Sequence, residues 1–592
     1  MTQLQSFDVA TSPETAAPRV AALRGWMEAR DLDAFLVPRA DRFQGEYVAP
    51  CDERLAWLTG FTGSAGFAVI LRDRAAVFTD GRYTVQVRAQ TDAALFETVL
   101  WPDTKLADWL REALPDGGRV GFDPWLHTPK ELEPLAAVSN IETVPVPNGV
   151  DAVWTDRPAP PAAPARAWPE RLAGRPHAEK RREIADAVAR KARAFVTTQP
   201  DAVCWLLNLR GADIARTPIV QAAAIVHADA SVDVVCDPAK LAPVAEHLGA
   251  DVRAVAWDDL PALLAGLGPT GYDPATCPVA LRDLIPEPVA MADPVALPKA
   301  RKTAAEIAGT TEAHLRDAAA MCRFLRWLDE DRPEGATEID VVHALEGFRR
   351  ETDALHDIAF ETIAGSGPNG AIVHYRVNED TDRALDRDGV LLVDSGGQYE
   401  DGTTDVTRTI ALGTLPAEAA HDATRVLQGL IALSRARFPH GVAGCHLDAL
   451  ARAPLWAEGR DYGHGTGHGV GVFLGVHEGP ARISRVSDVP LEDGMILSIE
   501  PGYYREGHYG IRLENLAVVR PAPEGGREGD RPMLRFECLT WVPLDRRLVV
   551  ADLLGPEERA WLDGYHAEVL AKVGPRVDGA DRAWLERACA PL

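Results

Sequence analysis

The chain has 592 residues, too many for one compact core, and at about 150 residues per domain it implies three or four. A formal net charge of −26 with no long Lys/Arg cluster excludes a nucleic-acid backbone or an anionic membrane surface as partner, since either would repel the protein at range. Eight cysteines stand singly without a C-x-x-C pair, the N-terminus shows no secretory signal and no segment approaches a membrane span, so the expected compartment is the cytoplasm.

In chain order, "AFLVP" (34–38) reads as a strand, followed by "WLTGFTGSAG" (57–66) and a second strand at "AAVFTD" (75–80). No Lys-Ser/Thr follows those glycines to complete a phosphate loop, so they read as turn chemistry. "DRPAPPAAPARAWPE" (156–170) is a semi-rigid linker, because its prolines block helix and central strand alike. The plan then repeats in "AFVTT" (194–198), "WLLNLRGAD" (205–213) and "SVDVVCD" (231–237). Two α/β domains related by duplication are therefore expected, over residues 1–156 and 157–302. From "PVALPKARKTAAEIAG" (294–309) the pattern passes into a long amphipathic helix carrying Ile307, Leu315, Ala319, Cys322, Leu325 and Leu328 at three- and four-residue intervals. A third domain is expected over 303–592, with "REGDRP" near 527 as a solvated loop.

That third part holds most of the chemistry. In "VLLVDSGGQYEDGTTDVTRT" (390–409) an apolar strand ends on Asp394, and Asp405 stands inside the β-branched run that follows. Buried carboxylates are costly unless something pairs with them. A two-residue turn at Asp401-Gly402 would leave Asp394 and Asp405 on one face but four positions out of register, roughly 13 Å at about 3.4 Å per residue. A bulge or a longer loop is expected to bring them together. In "ILSIEPGYYREGHYGIRLENLAVV" (496–519) a three-residue loop at "EGH" with Gly507 left-handed sets Glu500 opposite Glu514, a repulsive pair unless a cation lies between them. Pro501 cannot donate to the ladder, so a local bulge is expected beside the pair. His374 in "GAIVHYR" (370–376) and His464, His468 and His477 in "DYGHGTGHGVGVFLGVHEGP" (461–480) lie in glycine-punctuated stretches. Four carboxylates with His468 balance two divalent ions in charge, and such an oxygen-rich set favours Mn²⁺, with Co²⁺ or Zn²⁺ as alternatives.

The D-x10-D spacing, "HGTGHGVG", "EPGYY" and "GIRLEN" together resemble the dinuclear metallopeptidases of the pita-bread fold. With "EYVAPCDERLAWLTGFTGSAG", "WLLNLRGAD" and "IAGSGPNGAIVHYR" upstream, essentially the whole chain is similar to the large three-domain Xaa-Pro aminopeptidase family. The resemblance implies an α/β (α+β) chain of two creatinase-N-like domains and a C-terminal pita-bread domain, and a homodimer. It implies metal ligation by Asp394, Asp405, His468, Glu500 and Glu514. It places His374, His464, His477 and Arg512 on the substrate side, with peptides carrying proline second as substrates. The implied chemistry is attack by a metal-bridging hydroxide, with Glu500 moving its proton and His477 donating to the oxyanion. Arg512 could instead simply neutralise local charge. Two other functions stay open: a prolidase-like dipeptidase or methionine-removing aminopeptidase on the same site, and a non-catalytic interaction protein that keeps the fold.

Overall fold

The computed structural model describes residues 4–523 and 531–592, so most of the "REGDRP" stretch lies outside the described residues. The chain forms two compact units, Ala10–Lys299 and a second comprising Ala300–Leu592 with the segment up to Val9.

The first unit contains two six-stranded sheets. One is built from β1 (Ala34–Pro38), β2 (Phe67–Leu71), β3 (Ala75–Thr79), β4 (Glu97–Leu100), β5 (Gly118–Phe122) and β6 (Ile141–Pro145), in the order β4-β3-β2-β1-β5-β6. The other uses β7 (Ala194–Thr197), β8 (Ala223–His227), β9 (Val232–Val235), β10 (Val252–Val255), β11 (Thr270–Tyr272) and β12 (Pro288–Ala290), in the order β10-β9-β8-β7-β11-β12. The two orders are the same plan. In both, the Trp-Leu pair ends a short helix, Arg54–Thr59 or Pro200–Leu207, whose cap is left-handed: Gly60 at φ +84° in one, Asn208 at φ +50° in the other. Strand β1 is buried along its whole length, which is why "AFLVP" carries no polar alternation.

In the second unit, α1 (Ala304–Arg326) begins at a Thr303 cap whose hydroxyl accepts from the Glu306 N–H while Glu306 returns a bond to Thr303. Helix α2 (Glu338–Arg350) has the same device at Thr337 and Asp340. A three-stranded antiparallel sheet orders β13 (Ile363–Ser366), β14 (Gly389–Ser395) and β15 (Val406–Leu412) with β14 central. Helices α3 (Ala417–Ser434) and α4 (Gly444–Trp456) follow. A second sheet contains β16 (Arg437–Pro439), β17 (Gly467–Gly469), β18 (Glu478–Ile483), β19 (Ile496–Ile499), β22 (Asn515–Pro521) and β23 (Met533–Cys538), in the order β16-β23-β22-β19-β17-β18. Between β19 and β22 stands a separate hairpin of β20 (Gly502–Arg505) and β21 (Tyr509–Arg512). One apolar core joins Leu391 and Val393 of β14, Leu497 and Ile499 of β19 and Val426 and Leu430 of α3.

The segment before Val9 was expected to open the first domain, yet it packs in the second unit. The Gln5 carboxamide accepts from the Thr362 N–H at 2.8 Å, the Glu379 N–H donates to the Phe7 carbonyl at 3.0 Å, and the Phe7 ring stands edge-on to His343.

Candidate metal centre

Strands β14 and β15 pair so that Asp394 faces Thr407. Asp405 lies two residues before Thr407 on the same face, which makes the two aspartates diagonal neighbours, about 7–8 Å apart along the backbone. Neither a bulge nor a longer loop does this. The turn falls at Glu400-Asp401, one residue earlier than Asp401-Gly402, so Tyr399 pairs with Gly402 and the register slides by two positions. Helix α1 fixes that choice. Arg316 donates two bonds of 3.0 Å to the Asp401 carboxylate, and a Cβ on Gly402 would come within 2.9 Å of Thr310 Cα.

The second hairpin keeps the register that its loop dictates. Gly507 has φ +76°, Gly502 pairs with Arg512 and Ile499 with Asn515, leaving Glu500 opposite Glu514. No bulge forms beside Pro501, since the same register holds on both sides of it; the ladder simply opens at this pair. The Glu500 N–H donates instead to Thr466 O at 2.8 Å, and the Glu514 N–H to Thr407 O at 3.2 Å. The second bond ties the two hairpins together at the acidic cluster.

His468 sits at the centre of β17, where its N–H donates to Ser498 Oγ at 2.9 Å. Its Nδ1 lies 3.0 Å from Gly469 O, and since a carbonyl only accepts, Nδ1 carries the proton. Nε2 is thereby aimed at oxygens, 3.5 Å from Asp405 Oδ2 and 3.4 Å from Glu500 Oε1. Lone pairs facing one another need a proton or a metal ion between them. Asp405, His468 and Glu514 offer donor atoms within 4.8 Å of one another, and Asp394 and Glu500 adjoin them.

The electrostatics agree with a cation site. Burial, then Asp394 and Glu500, pushes the Asp405 carboxyl well above the usual carboxylate range. Burial, then Asp405, Glu500 and Asp394, does the same to Glu514. Asp394 Oδ1 and Glu514 Oε1 are buried and accept no hydrogen bond from the described residues. Buried acceptors are nearly always satisfied, so two orphaned oxygens in one cluster fit the place of cations. Arg512, 1 % exposed, pairs directly with Asp394 Oδ2 at 2.5 Å, donates to Tyr504 Oη at 2.6 Å and reaches Thr407 Oγ1 at 3.2 Å.

Of the remaining expected residues, His477 lies with its ring 4.3 Å from that of His468, edge to face. His464 is bonded to Gly465 O through Nδ1 at 2.7 Å and to Tyr504 Oη through Nε2 at 2.9 Å, with Glu500 Oε2 4.0 Å from Nδ1. His374 is half-buried just past the 3₁₀ turn Gly367–Ala371, which follows β13. That turn lies against β21: a Cβ on Gly510 would overlap the Gly370 carbonyl oxygen at 1.7 Å.

Three supporting residues escaped the sequence reading. Thr407 donates to Glu514 Oε2 at 2.7 Å, Ser498 donates to Glu500 Oε1 at 3.1 Å, and Tyr504 links Arg512 to His464. Each stands two or four residues along the chain from Asp405 or Glu500, so period-2 alternation around the acids would have found them.

The family model of metallopeptidase family M24 matches residues 308–521, and that of the C-terminal region of the same peptidases matches 532–592. Models of the creatinase/prolidase N-terminal domain match 19–153 and 156–306. The chain is 40% identical over 600 residues to the probable Xaa-Pro aminopeptidase P of Laccaria bicolor, covering 97% of this chain and 93% of that one. It is 39% identical over 614 residues to aminopeptidase P2 of Arabidopsis thaliana, covering 95% and 86%. The crystal structure of an X-prolyl aminopeptidase from Caenorhabditis elegans, described as a cytosolic enzyme with a di-nuclear active site, superimposes with a TM-score of 0.92 at 33% identity, covering 98% of this chain and 100% of that one.

Proposed function

We infer the activity of this chain from the family to which it belongs, metallopeptidase family M24: it is a metal-dependent aminopeptidase that hydrolyses the N-terminal Xaa-Pro bond of oligopeptides. The observation that carries the inference is the convergence of His468 Nε2 and the carboxylates of Asp405 and Glu500 on one point. A protein that kept the fold only as a binding platform would have no use for so many acids gathered on one imidazole.

Asp394, Asp405, His468, Glu500 and Glu514 would hold two divalent ions, and such a pair, when bound, lowers the pKa of water and polarises a carbonyl. We assign Mn²⁺ to the site, because the set is rich in oxygen and has one imidazole and no thiolate. Glu500 carries a proton at a carboxylate oxygen and delivers it to the departing proline nitrogen. Ser498 donates to Oε1 of that carboxylate and so orients it. His477, ring to ring with His468, donates to the oxygen that gains charge at the scissile carbonyl. His374 and His464 contact the peptide, and Arg512 offsets the Asp394 charge. The assembly we propose is a homodimer in the cytoplasm. Eight free cysteines agree with a reducing compartment. No helix among the described residues is long and apolar enough to cross a membrane.

The test is hydrolysis of Arg-Pro-Pro by chelator-stripped protein restored with single divalent ions. Activity should vanish on stripping and return best with Mn²⁺. Full activity in protein shown to be free of metal would overturn the proposal.

A further inference from the structure

Glu338, the first residue of α2, has 0% exposure and belongs to none of the roles assigned above. Its carboxylate is a hub. Oε1 accepts from the Ser366 N–H at 2.6 Å and from Asn369 Nδ2 at 3.1 Å. Oε2 accepts from Asn369 Nδ2 at 2.9 Å and from the Tyr375 hydroxyl at 2.8 Å. The Tyr375 hydroxyl also lies 3.0 Å from Thr381 O, and Arg383 donates to Ser366 O at 2.9 Å, closing the frame.

These donors are not scattered. Ser366 ends β13, Asn369 lies in the 3₁₀ turn and Tyr375 directly follows His374, so the anchors bracket residues 370–374. The bracketed backbone is the part that touches β21, the strand of Arg512. No regular ladder holds residues 372–378. Glu338 is the side chain that gathers the anchors on both sides of His374.

We propose that Glu338 is a positioning residue for His374, holding the 366–375 segment so that its imidazole meets the peptide. The inference rests on the substrate role given to His374 above. Burial raises the Glu338 carboxyl to about 7, with the Ser366, Asn369 and Tyr375 donors and Arg383 pulling the other way. A neutral amide preserves most of the frame. Its oxygen accepts from Ser366 N and Asn369, Tyr375 turns its proton to Thr381 O and accepts from the amide nitrogen, and the second Asn369 bond, to Oε2, is given up.

The experiment is a double-mutant cycle on kcat/KM for Arg-Pro-Pro with the Mn²⁺-loaded full chain, metal content being measured for each variant. Glu338→Ala should lose about tenfold or more with its metals retained, and Glu338→Gln should stay within about threefold of the parent. In a His374→Ala background Glu338→Ala should cost less than about threefold, because the residue it places is gone. Tyr375→Phe, which removes only a hydroxyl, gives the same cycle if Glu338→Ala does not fold. An equal loss in both backgrounds, or loss of metal in Glu338→Ala or Tyr375→Phe, would overturn the positioning role. A His374→Ala enzyme as active as the parent would instead overturn the substrate role of His374, and absence of Xaa-Pro hydrolysis in the parent would overturn the activity itself.

Discussion

Asp405→Asn separates the two things that the acidic cluster does. The side chain keeps its shape and loses one negative charge at a site 4 % exposed, with a ligand atom within 4.8 Å of those of His468 and Glu514. Two unit charges at 4.8 Å interact by about 3.5 kcal/mol at an effective dielectric constant near 20. In metal-free protein that energy is repulsion between Asp405 and Glu514, and Asn removes it. Because a carboxyl relieves the strain by taking up a proton, the gain at neutral pH is bounded by that figure. With metal bound the sign reverses: a divalent ion carries twice the charge, so affinity should fall by at least about a hundredfold, at 1.36 kcal/mol per decade. Thermal melts of stripped and Mn²⁺-loaded protein, with metal content measured on each, read both halves. The stripped variant should melt at or above the stripped parent, and the loaded parent should gain a stabilisation that the variant lacks. A variant that binds two metals with parental affinity, or whose stripped form melts well below the parent's, would refute the assignment of Asp405.

His477→Ala should lower kcat by about 10²- to 10³-fold with metal content unchanged, as expected for one lost donor to an oxyanion. If metal is lost instead, His477 is a ligand. Phe7→Ala should loosen the N-terminal segment from the second unit, and the cost is capped by the segment's own docking energy because it can detach. Hydrogen exchange should quicken at the Thr362 and Glu379 amides and stay unchanged at Leu391 in the core strand β14; parental protection at Thr362 and Glu379 would contradict the docking. Glu338 gives a pH dependence. Its folded pKa, about 7, lies above the ordinary 4.5, so its contribution to stability is complete below about 4.5 and is lost as pH rises through about 7, an effect of at most about 3 kcal/mol. The groups facing it, Ser366, Asn369, Tyr375 and Arg383, remain in Glu338→Gln. The melting advantage of the parent over that variant should therefore shrink from pH 5 to pH 8, and a constant difference would refute the shift.

The two hairpins show why part of the site was legible and part was not. The Glu500/Glu514 register followed from loop length and one left-handed glycine, both local properties. The Asp394/Asp405 register hung on a choice between two adjacent two-residue turns. Arg316, 85 residues away in sequence, made that choice by its bond to Asp401. Helix α1 illustrates the same limit. Its apolar stripe was readable, but it also buries Asp317, which is tolerated because Arg349 donates to both its oxygens and Tyr399 adds a bond of 2.7 Å. A buried charge looks like a surface charge until its partner is known. The docking of Gln5 and Phe7 left no periodic trace, since it uses single side chains on residues more than 300 positions away.

The central claim is tested most directly by one matched peptide set, Arg-Pro-Pro, Arg-Ala-Pro and N-acetyl-Arg-Pro-Pro, offered to the Mn²⁺-loaded enzyme. Proline's fixed φ near −65° and missing N–H let a site recognise it by shape, and an acidic cluster suits a free α-ammonium. Release of arginine from the first peptide, with little cleavage of the other two, is the predicted result. Comparable cleavage of the alanine or the acetylated peptide would contradict Xaa-Pro specificity while leaving a metallopeptidase.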